Sequence, residues 1–208
     1  MSEPGEASRL EALWREQFGV EYIERNRSAS VGREPFWRWL HEQHPFRTAL
    51  EVGCNIGGNL RWLTELIDPA DAYGVDINEH ALREARKGFP DTNVLRSPAR
   101  KLPFRDGFFD LTFTTVVLIH QPPETLPVVM NEIVRCSRKY VLCGEYFSEQ
   151  LEEVPYRGQS GALFKRDFGG LYQSLFPELK LIHQRYEPLA EDGTGWDDVT
   201  FWLFEKTG

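Results

Sequence analysis

Three cysteines, two methionines and no run of Lys or Arg mark this chain of 208 residues by what it has little of. Cys54, Cys136 and Cys143 are odd in number and lack Cys-x-x-Cys spacing, which argues against a disulfide framework and against structural zinc; free thiols in or beside a sheet are expected. No apolar run approaches the ~20 residues that a membrane-spanning helix needs. The segment Met1 to Glu6 has neither the basic start nor the apolar stretch of a signal peptide. A net charge of −8 without a basic stripe argues against a surface that grips a nucleic-acid backbone, although a local basic pocket is compatible with it. Internal repeats, low-complexity tracts and an interdomain linker are also missing. With 41% hydrophobic residues over this length, one domain with a sizeable core is expected, soluble and cytoplasmic, monomeric or homodimeric.

What is present concentrates in two segments. Thr48 to Val52 reads as a buried parallel strand and Gly53 to Gly58 as a tight turn. Asn59 to Ile67 then reads as a helix, with Leu60, Leu63 and Leu66 at helical spacing. A turn of this kind brings a ligand close to backbone amides at the start of a helix. A second apolar strand, Tyr73-Gly74-Val75, ends in Asp76, where a carboxylate accepts hydrogen bonds from both hydroxyls of a ribose, with Ile77 beside it. A nucleoside-bearing cofactor is implied, either S-adenosylmethionine (SAM) or a dinucleotide.

Glu51 favours SAM. It stands two residues before Gly53, where dinucleotide sites carry an apolar residue and SAM sites an acid that faces the charged amino-acid end of the cofactor. Glycines at Gly53 and Gly57 match the SAM spacing, and Asn55 between them tolerates left-handed backbone while placing a side chain where a pyrophosphate would lie. The stretch Leu102-Pro103-Phe104-Arg105-Asp106-Gly107-Phe108-Phe109-Asp110-Leu111 resembles the loop and fourth strand of class I SAM-dependent methyltransferases. A nicotinamide-dependent oxidoreductase is the enzymatic alternative, and a SAM- or nucleotide-binding regulatory module without turnover is the other.

Helices are expected over Arg9 to Asn26 and Glu34 to His44, forming an N-terminal cap over residues 1–45. Seven strands follow near 48–53, 72–76, 92–96, 109–117, 139–146, 179–186 and 199–206, alternating with helices near 58–67, 79–88, 124–137 and 165–176. The fold class is α/β, a Rossmann-like sheet of seven mostly parallel strands with an antiparallel last strand, and the Pro188 to Asp198 connection reads as a surface loop.

His120 ends the fourth strand at the carboxyl edge of the sheet, where open α/β sheets bind ligands, and a neutral imidazole there is a candidate base as well as a substrate contact. Glu145 and Tyr146 close the fifth strand at the same edge, Glu145 as a second candidate acid–base group. Tyr156-Arg157-Gly158 and Leu163-Phe164-Lys165-Arg166-Asp167-Phe168 interleave cations and aromatics in an otherwise acidic chain. Arg157, Lys165 and Arg166 thus become candidates for binding an anionic substrate, together with Tyr156 and Tyr146. In the first helix Tyr22, Arg25 and Asn26 carry polar tips that a cap presents to substrate or to the cofactor carboxylate. His41 and His44 lack acidic or cysteine company, so no metal is expected.

Taken together, Trp14-x-x-x-Phe18-Gly19-x-x-Tyr22-x-x-Arg25-Asn26, Glu51-Val52-Gly53-Cys54-Asn55-Ile56-Gly57, Leu118-Ile119-His120, Glu145-Tyr146, Tyr156-Arg157-Gly158, Leu163 to Phe168 and Asp197-Asp198-Val199-Thr200-Phe201-Trp202 resemble the pseudaminic acid biosynthesis-associated methylase family, over nearly the whole chain. The resemblance implies a small class I methyltransferase that uses SAM on an acidic sugar or similar polar metabolite, with S-adenosylhomocysteine (SAH) as product. Ser97-Pro98-Ala99 departs from broader methyltransferases, which often carry an Asp at the position of Pro98, so adenine recognition passes to Ser97 or to backbone at Ala99.

Overall fold

The computed structural model describes residues 5–25, 27, 30–189 and 195–207, the side chains at 17 and 25 excepted. Five short apolar segments form parallel strands: β1 (Ala49–Val52), β2 (Ala72–Asp76), β3 (Asn93–Arg96), β4 (Phe109–Thr115) and β5 (Ser137–Glu145). A two-stranded ribbon, β6 (Glu152–Glu153) and β7 (Phe164–Lys165), stands apart from the sheet. The hairpin β8 (Leu179–Glu187) and β9 (Val199–Lys206) completes a seven-stranded sheet in the order β3-β2-β1-β4-β5-β9-β8, in which β9 runs antiparallel to both neighbours. This is the mixed Rossmann-like sheet expected from the sequence.

Both faces of the sheet are covered, which is why β1 is buried at every position. On one face α6 (Leu126–Cys136) and α7 (Phe168–Leu175) bring Val129, Met130, Ile133, Phe168 and Tyr172 onto Leu50, Val52 and Val141. On the other, α3 (Glu34–Gln43), α4 (Leu60–Leu63) and α5 (Glu79–Gly88) bring Trp37, Leu40, Leu63 and Leu82 onto Ala49, Phe113 and Leu142. Trp37 is fully buried, its ring centroid 4.8 Å from that of Phe113.

Two expectations about the first 45 residues change. The helix expected over Arg9 to Asn26 is two helices, α1 (Glu6–Arg15) and α2 (Gln17–Arg25), because the chain reverses at Glu16 in an extended conformation, φ −99° and ψ −153°. The reversal faces Trp14 against Phe18 and Tyr22, with ring centroids 5.2 and 5.4 Å apart, so a continuous aromatic stripe in sequence becomes a packed corner. Only a hydrogen fits at Gly19, since a Cβ there would overlap the Trp14 carbonyl. The second change concerns α3, which is a layer of the core through Phe36, Trp37 and Leu40, whereas α1 and α2 lie over the carboxyl edge of the sheet.

Candidate functional site

Strand order reverses at β1, which pairs with β2 on one side and β4 on the other, and ligands of open α/β sheets bind outside the carboxyl ends at such a switch point. A cavity of about 380 Å³ opens there. Its floor is made by the segments leaving β1, β2, β3 and β4, and its roof by α1, α2 and the stretch Gly195 to Asp197. That last stretch was expected to be a plain surface loop.

The floor is set by a chain of backbone bonds. Gly53 and Cys54 donate to Val75 carbonyl oxygen at 2.8 and 2.9 Å, carrying the pairing with β2 past the end of β1. Gly53 has φ 82°, and a Cβ on it would overlap the Val117 Cγ2 methyl, so this position is closed to other residues twice over. Gly53→Ala is expected to destabilise the protein by about 2–4 kcal/mol, the sum of left-handed strain and overpacking, measurable by urea unfolding. Gly57, at φ 84°, does not line the cavity; it packs beside Phe89 and turns the chain into α4.

Asp76 organises both sides of the turn. Its Oδ2 accepts from Asn55 N at 2.8 Å and its Oδ1 from Asn78 N at 2.8 Å. Asn55 takes the left-handed conformation, φ 49°. Asn78 then caps α5, accepting from His80 N and Ala81 N, and its Nδ2 reaches the Trp14 carbonyl at 2.9 Å, tying α1 to the floor. Burial raises the Asp76 pKa above its ordinary value, against the lowering effect of these amides. Ile77, Ser97 and Ala99 line the next part of the cavity, with Ser97 Oγ donating to Lys101 O at 2.8 Å.

Glu51 has the most telling environment. It is 2% exposed, its Oε1 accepts from Asn59 Nδ2 at 2.6 Å, and its Oε2 is buried without a partner. Burial pushes its pKa up to about 8. Asn59 also donates to Thr115 Oγ1 at 3.0 Å and accepts from Arg33 Nη1 at 3.1 Å. Arg33 is held in turn by Gly195 O at 2.8 Å and by the Trp196 face, 4.1 Å from its Cζ. Asn59, Arg33 and Trp196 escaped the sequence reading because 26 residues separate the first pair and 162 separate Arg33 from Gly195. The stretch around Trp196 is rich in glycine and acids, which by itself signals only a loop.

His120 lines the cavity at 6% exposure. Its Nδ1 lies 2.6 Å from Ala162 O; a carbonyl only accepts, so Nδ1 carries the proton and Nε2 keeps the lone pair. Burial drives its pKa down to about 4, so the ring is neutral near pH 7. Trp14 and Tyr156 pack on it, with centroids at 4.4 and 5.4 Å. Tyr22 lines the cavity as well, its pKa pushed up to about 12 by burial.

The other expected residues scatter. Glu145 is fully buried, does not line the cavity, and spends its carboxylate on the amides of Val117 and Ile119, so it is no second base at the open edge. Tyr146 lines the cavity and donates to Asp197 Oδ2 at 2.7 Å. Beyond that bond lies an outer basin lined by Lys165, Tyr186 and Asp198 among others, with Lys165 Nζ 5.7 Å from the Tyr146 ring centroid. Tyr156 backs His120 without lining either space. Arg157 sits exposed on the ribbon turn at φ 50°, and Arg166 is half-buried; neither lines the cavity or the basin. The Arg25 side chain and Asn26 lie outside the described residues. Among the described residues no cluster of three or more His, Cys, Asp or Glu is arranged to hold a metal, and no helix is long and apolar enough to cross a membrane.

Residues 50–142 match the family described as a methyltransferase domain. The chain has the Rossmann-like fold of class I methyltransferases. Over its full length the chain shares its fold with the Burkholderia thailandensis 1,6-didemethyltoxoflavin-N1-methyltransferase, solved with 1,6-didemethyltoxoflavin and SAH (TM-score 0.75, 15% identity, 100% of this chain and 93% of that one). The same holds for the magnesium protoporphyrin IX methyltransferase of Synechocystis solved with SAM (TM-score 0.75, 9% identity, 100% of both chains). A probable phthiotriol/phenolphthiotriol dimycocerosates methyltransferase of Mycobacterium ulcerans is 31% identical over 104 residues, 49% of this chain and 38% of that protein. The matched stretches span only 25% to 38% of the mycobacterial relatives.

Proposed function

We propose that the protein transfers the methyl group of SAM to an O or N atom of a small, polar, anionic metabolite, an acidic sugar or a biosynthetic intermediate of like chemistry. The observation that carries this reading is the unpartnered Glu51 Oε2 on the cavity floor, a buried acceptor that leaves room for a cationic partner. The donor set fits SAM: Glu51 for its ammonium, Arg33 for its carboxylate, Asp76 for the ribose hydroxyls, and Ile77, Ser97 and Ala99 around the adenine. Bound SAM supplies an electrophilic methyl group on a sulfonium centre.

The protein's part is alignment and proton handling. Holding donor and acceptor in near-attack geometry contributes up to ~7–11 kcal/mol in favourable cases. His120, protonated at Nδ1, offers Nε2 to a hydroxyl or amine that loses its proton as the methyl arrives. Lys165, in the basin next to the cavity, supports an anionic acceptor. The motif-by-motif resemblance to the pseudaminic acid-associated methylases supports an acidic sugar.

Calorimetry with SAM, SAH and NAD tests the cofactor half: micromolar SAM and SAH binding without NAD binding is expected, and SAM failing to bind would end the proposal. Acidic sugars and related metabolites are then screened with methyl-labelled SAM. With an acceptor in hand, His120→Ala should retain SAM binding and lose about 10²-fold in turnover near neutral pH.

A further inference from the structure

The chain leaves the sheet after β4 by a strained route. Thr115 is the last residue paired with β5, opposite Gly144, and Val116 adds one more bond by donating to Gly144 O at 2.8 Å. Val116 then adopts φ 58°, a left-handed conformation that a β-branched residue takes only where its surroundings over-determine it. Immediately beyond, the Glu145 carboxylate gathers the backbone amides of the departing turn. Val117 N lies 3.2 and 3.0 Å from its two oxygens, and Ile119 N lies 3.2 Å from Oε2.

Two parts of the site hang on this turn. The Val117 side chain is the wall against which Gly53 of the cofactor loop closes. His120 follows Ile119 directly and completes a single turn of 3-10 helix, Leu118 to His120, before its ring meets Ala162 O. A buried carboxylate bound by several amides is a strong, charge-assisted anchor. Glu145 has no surface on the cavity, so the anchor acts from behind.

Resting on the methyl-transfer reading of this cavity, we infer that Glu145 is a positioning residue: its carboxylate clamps the left-handed turn at Val116, and so fixes both the Val117 wall of the cofactor loop and the seat of His120, without touching either reactant. A carboxylate is suited to this because both oxygens accept, Oε2 from Val117 and Ile119 and Oε1 from Val117, whereas an amide of equal size has one accepting atom and sets a donor against the Val117 N–H.

Glu145→Gln tests the clamp in the intact chain, read by amide hydrogen exchange, by NMR titration of isotope-labelled histidine, and by SAH calorimetry. Exchange at Val117 and Ile119 is expected to quicken about tenfold, the size of one lost hydrogen bond, while Thr112 and Leu142 in the sheet keep the parent's rates. The His120 titration midpoint should move up towards that of an ordinary imidazole as the ring loses its buried seat, and SAH binding should weaken several-fold. Adding Val116→Gly removes the cost of the left-handed φ, so E145Q/V116G should recover thermal stability but not the parent's His120 titration. A folded E145Q with unaltered amide exchange and His120 titration would overturn the inference; if E145Q does not fold alone, the double variant gives the same readouts. A parent protein that binds no SAH would sink the methyl-transfer reading, yet leave the exchange and titration results to decide the clamp.

Discussion

Glu51→Gln is expected to stabilise the ligand-free protein at pH 8 by about 1–3 kcal/mol, since it removes a half-satisfied buried carboxylate, and to weaken SAM binding by roughly two orders of magnitude. The two effects have opposite signs because one charge serves them both. Glutamine keeps the bond from Asn59 Nδ2 and replaces the orphan oxygen by a neutral group, so the cost of burying a charge disappears. Asn59 does not turn over to suit the newcomer, because Arg33 Nη1 at 3.1 Å and Trp37 Nε1 at 3.4 Å hold its oxygen. In the proposed SAM site the cofactor ammonium loses its buried counter-ion, a loss of the kind that costs about 2–5 kcal/mol.

The pH dependence follows from the same group. With a folded pKa of about 8 against an ordinary 4.5, Glu51 keeps a proton that the unfolded chain has released over that window. The unfolded state therefore binds fewer protons, and the stability of the ligand-free protein falls as pH rises from about 4.5 to about 8. Glu145, raised by burial to about 7, adds in the same direction over the lower part of the window. A cationic ligand favours the ionised form of Glu51, so SAH binding at pH 7 should release close to one proton, and calorimetry in buffers of differing ionisation enthalpy measures it directly. In Glu51→Gln that release should vanish. Release that persists in the variant would assign the proton to another group.

Asp76→Ala is the second large effect, and here stability and binding fall together. Two backbone amides, Asn55 N and Asn78 N, lose their acceptor, each at a cost of about 1–3 kcal/mol. Damage should spread along the bonds that follow: the left-handed turn at Asn55, the cap of α5 at Asn78, and the Asn78 bond to Trp14 that anchors α1. A fall in Tm of about 5–10 °C is expected for a chain of this size, with SAM affinity reduced by more than roughly 100-fold as ribose contacts and loop geometry go at once. Asp76→Asn, which retains one acceptor oxygen, should fall between the two. An alanine variant that binds SAM as tightly as the parent would remove Asp76 from the cofactor site.

The sheet and the floor of the site were legible in the chain alone, because both are written in local signals. Strands buried on two faces are continuous apolar runs, and Gly53, Asn55 and Asp76 lie where strand meets turn, so their backbone roles follow from neighbours in the chain. His120 was legible for the same reason, as the residue that ends the stretch after β4 at the carboxyl edge. Whatever depended on partners far along the chain became visible only with the folded arrangement. The Arg33–Asn59–Glu51 network, the Ala162 carbonyl that sets the His120 tautomer, and the Asp197 that receives Tyr146 come from segments whose sequence spacing carries no periodicity. Charge alone misled at Arg157 and Arg166: a cation beside an aromatic has the chemistry of an anion clamp, but the ribbon places Arg157 on its exposed turn and leaves Arg166 off the cavity. Helical period likewise ran straight through Glu16, since both halves of the reversed chain bury the same aromatic corner, and the direction of a chain at one residue is fixed by that packing and not by the pattern on either side.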